Sequence, residues 1–247
     1  MNFSLKALES LENIIINCCV IAITFWLIIK FKFIHFIKFG EFETKNLQYY
    51  LPLLVYIVLL SNSNNVFEYD RKIFYTMEMF LLFLEKLTSA FLEEIIFRGL
   101  VLAFIINKYI ERKNELLISV FLTSLIFGTT HFINIVTQAE LLTVNGVIKQ
   151  VYIATCLGVM FSSMFLKSRN IFILIFGHFI FNMFSIFDEL KMNAASASIR
   201  VVEDKTTLEI IASLVLIFII FGIPVLIGIA ILRQVDIKQL KSELKLG

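Results

Sequence analysis

The chain has 247 residues, 59% of them hydrophobic and 17% charged, with a formal net charge of +2 and a mean hydropathy of +0.87. A soluble domain is roughly 45–50% apolar and about 25% charged, so the composition is that of a membrane protein, and disorder, which needs low hydrophobicity and high charge, is excluded. The near-neutral balance has no basic run and leaves no nucleic-acid footprint, while Cys18, Cys19 and Cys156 all sit in apolar stretches and make no secreted disulfide scaffold.

Apolar stretches fall, in chain order, at about 13–34, 47–60, 73–98, 99–110, 115–133, 149–166, 171–187 and 207–232. Polar breaks separate most of them, at 38–45, 61–72, 111–115, 137–150, 167–170 and 188–205. Two prolines and nine glycines argue for long uninterrupted helices. The first stretch follows Glu9 and Glu12, where a cleaved leader would carry basic residues, and no small-x-small site follows it, so this helix is expected to stay. A spanning helix takes about 20 residues. Seven or eight such helices use the whole chain. The expectation is an all-α, polytopic membrane helix bundle, one integral membrane domain over residues 1–247, with a charged tail from Arg233 that starts as helix.

An ionisable residue inside a membrane is costly and is a functional-site hypothesis by default. Phe91-Leu-Glu-Glu-Ile-Ile-Phe-Arg98-Gly99 puts two adjacent carboxylates in an apolar helix. Residues four apart share a helix face, so Glu94 can pair with Arg98. Glu93 has no such partner, because Phe97 is apolar, and is left as a general-base candidate. A helix-packing ion pair explains Glu94 and Arg98 but not the second carboxylate. His131 ends an apolar run, where a lone histidine is ordinarily interfacial. His178 and Asn182 lie one turn apart and point the same way; they could donate to an oxyanion or glue two helices. Glu78, Glu85, Lys86, Thr88 and Ser89 read as helix pairing or water access. His35, between Lys32 and Lys38, reads as interfacial, and the cysteines read as apolar fillers.

Together these residues resemble a known family. Glu93-Glu94-x-x-x-Arg98, Phe127-x-x-x-His131 and His178-x-x-x-Asn182 look like the three motifs of the CPBP family, the type II CAAX prenyl proteases and bacteriocin-processing intramembrane proteases also called the Abi family. The flanks agree: Phe-Arg-Gly after the glutamates, Leu-Ile-Phe-Gly before His131 and Gly before His178. The resemblance covers about residues 85–187, a family-like catalytic core. It implies that Glu93 is the general base, that His131 orients the same water, that His178 and Asn182 form an oxyanion hole and that Glu94 and Arg98 brace the site. The family has also been described as metalloproteases, in which case Glu93, His131 and His178 would hold Zn2+ with an open position for water. Asn182 on the face of His178 fits a donor pair better than a metal shell, so the expectation is that no cofactor is required.

The shared chemistry bears on topology. The segment 99–110 is only about 18 Å long at 1.5 Å per residue. If it does not cross, there are seven spans and a stronger positive-inside split, but Glu93 and His131 fall near opposite membrane faces. If it crosses, there are eight, and both histidine motifs and Glu93 come within about three turns of one face. The geometric requirement favours about eight spans, with 99–110 short or tilted, the catalytic face outside and both termini inside. The expected substrate is a peptide or membrane-anchored protein tail reached through the lipid bilayer of the cell membrane. Abundant Phe, Ile, Asn and Lys fit an AT-rich, bacterial-type genome, which favours peptide maturation or bacteriocin self-immunity over prenylated tails. Two other readings are a non-catalytic immunity or binding protein using the same pocket, and a proton-coupled transporter. The chain lacks the repeated halves and paired broken helices of transporters.

Overall fold

The structure is a computed structural model that describes residues 5–37, 47–63, 77–137, 144–196 and 207–245. Of the polar breaks, 38–45 lies outside those residues, as do 64–72, 138–143 and 197–205 of the breaks at 61–72, 137–150 and 188–205. Every regular element described is helical: α1 (Leu5–Lys30), a 3-10 turn (Phe33–Phe36), α2 (Leu47–Ser63), α3 (Met77–Glu94), a π turn (Ile95–Val101), α4 (Leu102–Tyr109), α5 (Lys113–Thr130), a second 3-10 turn (His131–Ile133), α6 (Asn134–Thr137), α7 (Val144–Ser168), α8 (Ile171–Ser196), α9 (Thr207–Leu232) and α10 (Ile237–Lys245). The eight apolar stretches thus become α1 to α5 and α7 to α9, and the charged tail becomes α10.

Four described segments are long and apolar enough to cross a membrane: Ala7–Lys30, Lys113–Val136, Val144–Ser168 and Val215–Leu232. Leu47–Val58 and Ile171–Phe184 are shorter apolar helices. Helix α3 differs because Glu78, Glu85, Lys86, Glu93 and Glu94 all lie on it. The segment 99–110 enters as the end of the π turn and α4, and the helical backbone runs from residue 77 to 109 without a break. The π turn follows directly on the glutamate pair, and such turns in α-helices recur at functional sites.

By contacts the chain divides into two compact units. The first holds α1, α2, α3 and α8; the second holds the 3-10 turn at 33–36 and α4 to α7, α9 and α10. In the first unit α3 packs on α1 and α8, and α2 packs on α8. In the second, α7 packs on α5 and on α9.

Small residues set the closeness of the second unit's helices. A Cβ on Gly128 would collide with Thr155 Oγ1 and come within 2.8 Å of Val151 O, and one on Gly158 would meet Ser124 Cβ at 3.0 Å. Ser124 and Gly128 form a small-xxx-small face on α5, the arrangement that lets membrane helices approach backbone to backbone. Gly228 does the same for α9, since its Cβ would lie 3.0 Å from Val159 O. Three buried hydroxyls are satisfied inside their own helices: Thr123 donates to Ser119 O, Ser124 to Val120 O and Ser163 to Val159 O. This back-bonding is how polar side chains persist in an apolar bundle.

The α7–α8 junction has two identifiable causes. Arg169 takes a left-handed φ of 61°, a conformation costing a non-glycine residue about 1–2 kcal/mol. Its guanidinium lies 4.2 Å from the Phe36 ring centroid, a contact worth up to about 2 kcal/mol when desolvated. Next, Asn170 Oδ1 accepts from the backbone N–H of Phe172 at 3.0 Å and of Ile173 at 3.4 Å. It caps the helix that carries His178.

Candidate active site

The last turn of α3 presents Glu93 and Glu94, and α8 presents His178. The His178 ring lies between the two carboxylates: Nδ1 is 2.8 Å from Glu94 Oε1 and Nε2 is 3.5 Å from Glu93 Oε2. Glu94 is 0% exposed and His178 is 8% exposed. One ring reaches adjacent residues because successive helical side chains are about 100° apart, which suits nitrogens on different edges of one imidazole. An N–H at Nδ1 has Glu94 Oε1 to accept it, and Nε2 lies within ion-pair distance of Glu93 Oε2. The geometry therefore suits an imidazolium, with the buried Glu94 as its fixed counter-charge.

Glu93 is held from a second direction. Ser89 Oγ donates to Glu93 Oε1 at 3.1 Å, one turn back on the same helix. The Glu93 side chain is 26% exposed, although Oε2 itself is buried. The rest of the side chain thus reaches an open edge while Oε2 faces His178. Glu93, unpaired in the forward i+4 direction, gains Ser89 backward and His178 from another helix. Ser89 was legible as polar, but its role needed the i−4 direction to be considered.

The polar residues earlier on α3 pair with α1, as the helix-pairing reading expects. Asn13 Nδ2 donates to Glu85 Oε1 at 3.3 Å, and Asn17 Nδ2 donates to Thr88 Oγ1 at 3.3 Å. Lys86 Nζ also reaches Glu85 Oε1, at 3.4 Å. Two asparagines one turn apart on α1 thus meet a polar stripe on α3. Aromatic pairs surround the same helices: Tyr56 with Phe181, Phe83 with Phe179 and Phe25 with Phe91, at centroid distances of 5.9, 6.4 and 6.1 Å. Asn182 follows His178 by one turn of α8 and is half-buried.

Arg98 and His131 belong to the second unit, and Phe127 organises both there. The Arg98 guanidinium carbon lies 4.8 Å from the Phe127 centroid and 5.7 Å from that of Phe161, and Arg98 is 1% exposed. The His131 ring meets Phe127 edge-on at 5.2 Å. His131 Nδ1 lies 3.2 Å from Phe127 O. With Nδ1–H donating to that carbonyl, Nε2 keeps its lone pair. That is the tautomer able to accept a hydrogen bond from water. The structure brings together Glu93, Glu94 and His178; it describes Arg98 and His131 with their own second-unit neighbours. Phe127, the first residue of its motif, is a support whose function the spacing alone did not disclose.

A resident catalytic zinc takes three protein ligands and an open position. Among the described residues no group of three His, Cys, Asp or Glu side chains gathers to hold an ion, and both nitrogens of His178 face carboxylates. Glu93 and His178 belong to the first unit and His131 to the second.

The fold and this cluster define a helical membrane protein with a carboxylate–histidine centre enclosed among its helices. The family model described as type II CAAX prenyl endopeptidase Rce1-like matches residues 75–184, a span that contains every candidate site residue from Glu93 to Asn182. That segment is similar to the CPBP family, and the likeness supports a CAAX-type intramembrane protease in general. No curated protein and no solved structure matches the chain.

Proposed function

We propose that the protein hydrolyses a peptide bond in a peptide or membrane-anchored protein of the cell membrane, using Glu93 to activate water without a metal. The observation that carries this reading is the His178 ring held between Glu93 and Glu94, with Nε2 and Oε2 3.5 Å apart. Once that contact opens, a water can lie within hydrogen-bond reach of both atoms. Glu93 takes a proton from the water, the water oxygen bonds to the scissile carbonyl carbon, and the carbonyl electron pair moves onto its oxygen. Protonated Glu93 no longer attracts His178 as a carboxylate does, so the Nε2–H is released to the oxyanion while Glu94 keeps its hold on Nδ1. Collapse of the tetrahedral intermediate breaks the C–N bond, and Glu93 returns the proton to the leaving amine. Asn182 adds a second donor on the same face of α8. The family resemblance assigns His131 to orienting the water, and Glu94 and Arg98 to bracing the site. The fitting biological role is peptide maturation or bacteriocin self-immunity.

The test is cleavage of a quenched membrane-peptide library by the purified protein in lipid, beside Glu93→Gln. The variant keeps nearly the same shape and loses the base. Cleavage by the wild type and not by the variant supports the proposal. Processing or protection that survives Glu93→Gln refutes it and leaves a binding protein using the same pocket.

A further inference from the structure

One end of the second unit is strongly basic and plays no part in the chemistry above. Contacts within the unit place its parts together. Phe36 meets Phe165 edge-on at 5.3 Å. Lys113 Nζ donates to Arg233 O at 2.8 Å, and Lys167 Nζ donates to Gln234 O at 2.9 Å. Helix α10 packs on the 3-10 turn at 33–36 and on α4, with Leu240 and Val235 buried beneath it. The start of α5, the end of α7 and the α9–α10 junction therefore share one end.

That end exposes Lys32, Lys108, Arg112, Lys113, Arg233 and Lys238. Two of its acids are committed to helix caps. Glu115 accepts from the backbone N–H groups of Glu111 and Arg112. Asp236 Oδ1 accepts from those of Lys238 and Gln239 at 2.8 and 3.4 Å. An open groove of about 400 Å³ runs here, lined by Lys113, Arg233 and Lys238 with Asp236. Tyr109, exposed beside Lys108, has the amphipathic character of residues that settle at the headgroup level. The other end of the same unit, described over 130–137 and 144–150, carries Lys149 as its one Lys or Arg among the described residues.

We infer that this basic end binds the phosphate headgroup of an anionic phospholipid, with the phosphodiester in the groove lined by Lys113, Arg233 and Lys238 and with the exposed Arg112 next in sequence to Lys113. Arginine supplies paired donors that match a phosphate, and lysine supplies a point charge. Lysines and arginines at a membrane surface attract anionic lipid, and helix α10 fixes Lys238 in place through its buried Leu240. The site also orients the unit. Helix α5 runs from Lys113 at this end to His131 at the other, so bound anionic lipid marks the leaflet away from His131.

The test uses the full-length protein, delipidated in mild detergent and offered equal amounts of phosphatidylglycerol and phosphatidylcholine. Lipid retained is read by native mass spectrometry. The wild type retains phosphatidylglycerol at least about five-fold over phosphatidylcholine, a preference corresponding to roughly one effective surface cation. The triple variant Arg112→Gln/Arg233→Gln/Lys238→Gln loses it, Lys238→Gln alone loses part of it, and Lys149→Gln keeps it. Equal retention of the two lipids by the wild type refutes the inference, as does an unchanged preference in both Lys238→Gln and a folded triple variant. Binding of inorganic phosphate with no preference between the lipids shows a free-phosphate site and also refutes it.

Discussion

Replacing Glu94 by glutamine tests the least obvious part of the mechanism, the claim that its buried charge holds His178 ready to donate. The change preserves shape and removes the charge at an oxygen 2.8 Å from His178 Nδ1. Hydrogen bonds to charged groups are worth about 1.5–3 kcal/mol and neutral ones about 0.5–1.5, so the substitution removes about 1–1.5 kcal/mol from the imidazolium. At 1.36 kcal/mol per decade that is a loss of about five- to ten-fold in kcat. If the amide rotates to donate to Nδ1, His178 is held in the wrong tautomer and the loss is larger. The interaction acts on the charged ring, so KM changes little. Steady-state cleavage of a peptide substrate in lipid gives kcat and KM separately, and a helical melt separates lost catalysis from lost folding. A folded Glu94→Gln protein with wild-type kcat would refute the reasoning.

Two further outcomes follow from the packing and the hydrogen bonds. Ser89→Ala removes the donor at 3.1 Å from Glu93 Oε1 and lowers kcat by about three- to ten-fold, the worth of one hydrogen bond of about 1 kcal/mol; Ser89→Thr restores most of it, and equal losses in both variants would argue against the hydroxyl. Gly128→Leu drives a side chain into Thr155 and Val151 O across the α5–α7 crossing, an overpacking that costs about 1–3 kcal/mol. It lowers the thermal midpoint in a detergent melt, and an unshifted midpoint would contradict the close approach described.

How much could be read in advance depends on which physical signal each feature uses. Hydropathy found every helix from α1 to α5 and α7 to α9, because a chain in lipid must bury its backbone polar groups in long apolar helices. Intramembrane polarity singled out Glu93, Glu94, Arg98, His131, His178 and Asn182 as candidates, since such residues are costly in lipid. Partners were harder to read. The i+4 rule pairs Glu94 with Arg98 along the chain, and the further bond at 2.8 Å to His178 spans 84 residues and needs the α3–α8 packing to be known. The π turn at Ile95–Val101 left no trace in the periodicity, because its i→i+5 bonding widens only a short stretch of helix. The α1–α3 ladder was half visible, since the α3 side was polar throughout. Asn13 and Asn17 on α1 stood out only once α3 lay beside them.

The central claim is that Glu93, and no metal, activates the water. The most direct measurement is the cleavage rate of the wild type in lipid before and after exhaustive chelation, with metal content determined on the same sample and Glu93→Gln run in parallel. The account predicts an unchanged wild-type rate, no stoichiometric metal, and a loss of about 10²–10⁴-fold in the variant, the usual worth of a general base. A rate abolished by chelation and restored by zinc, or a Glu93→Gln protein that still cleaves at the wild-type rate, would contradict it.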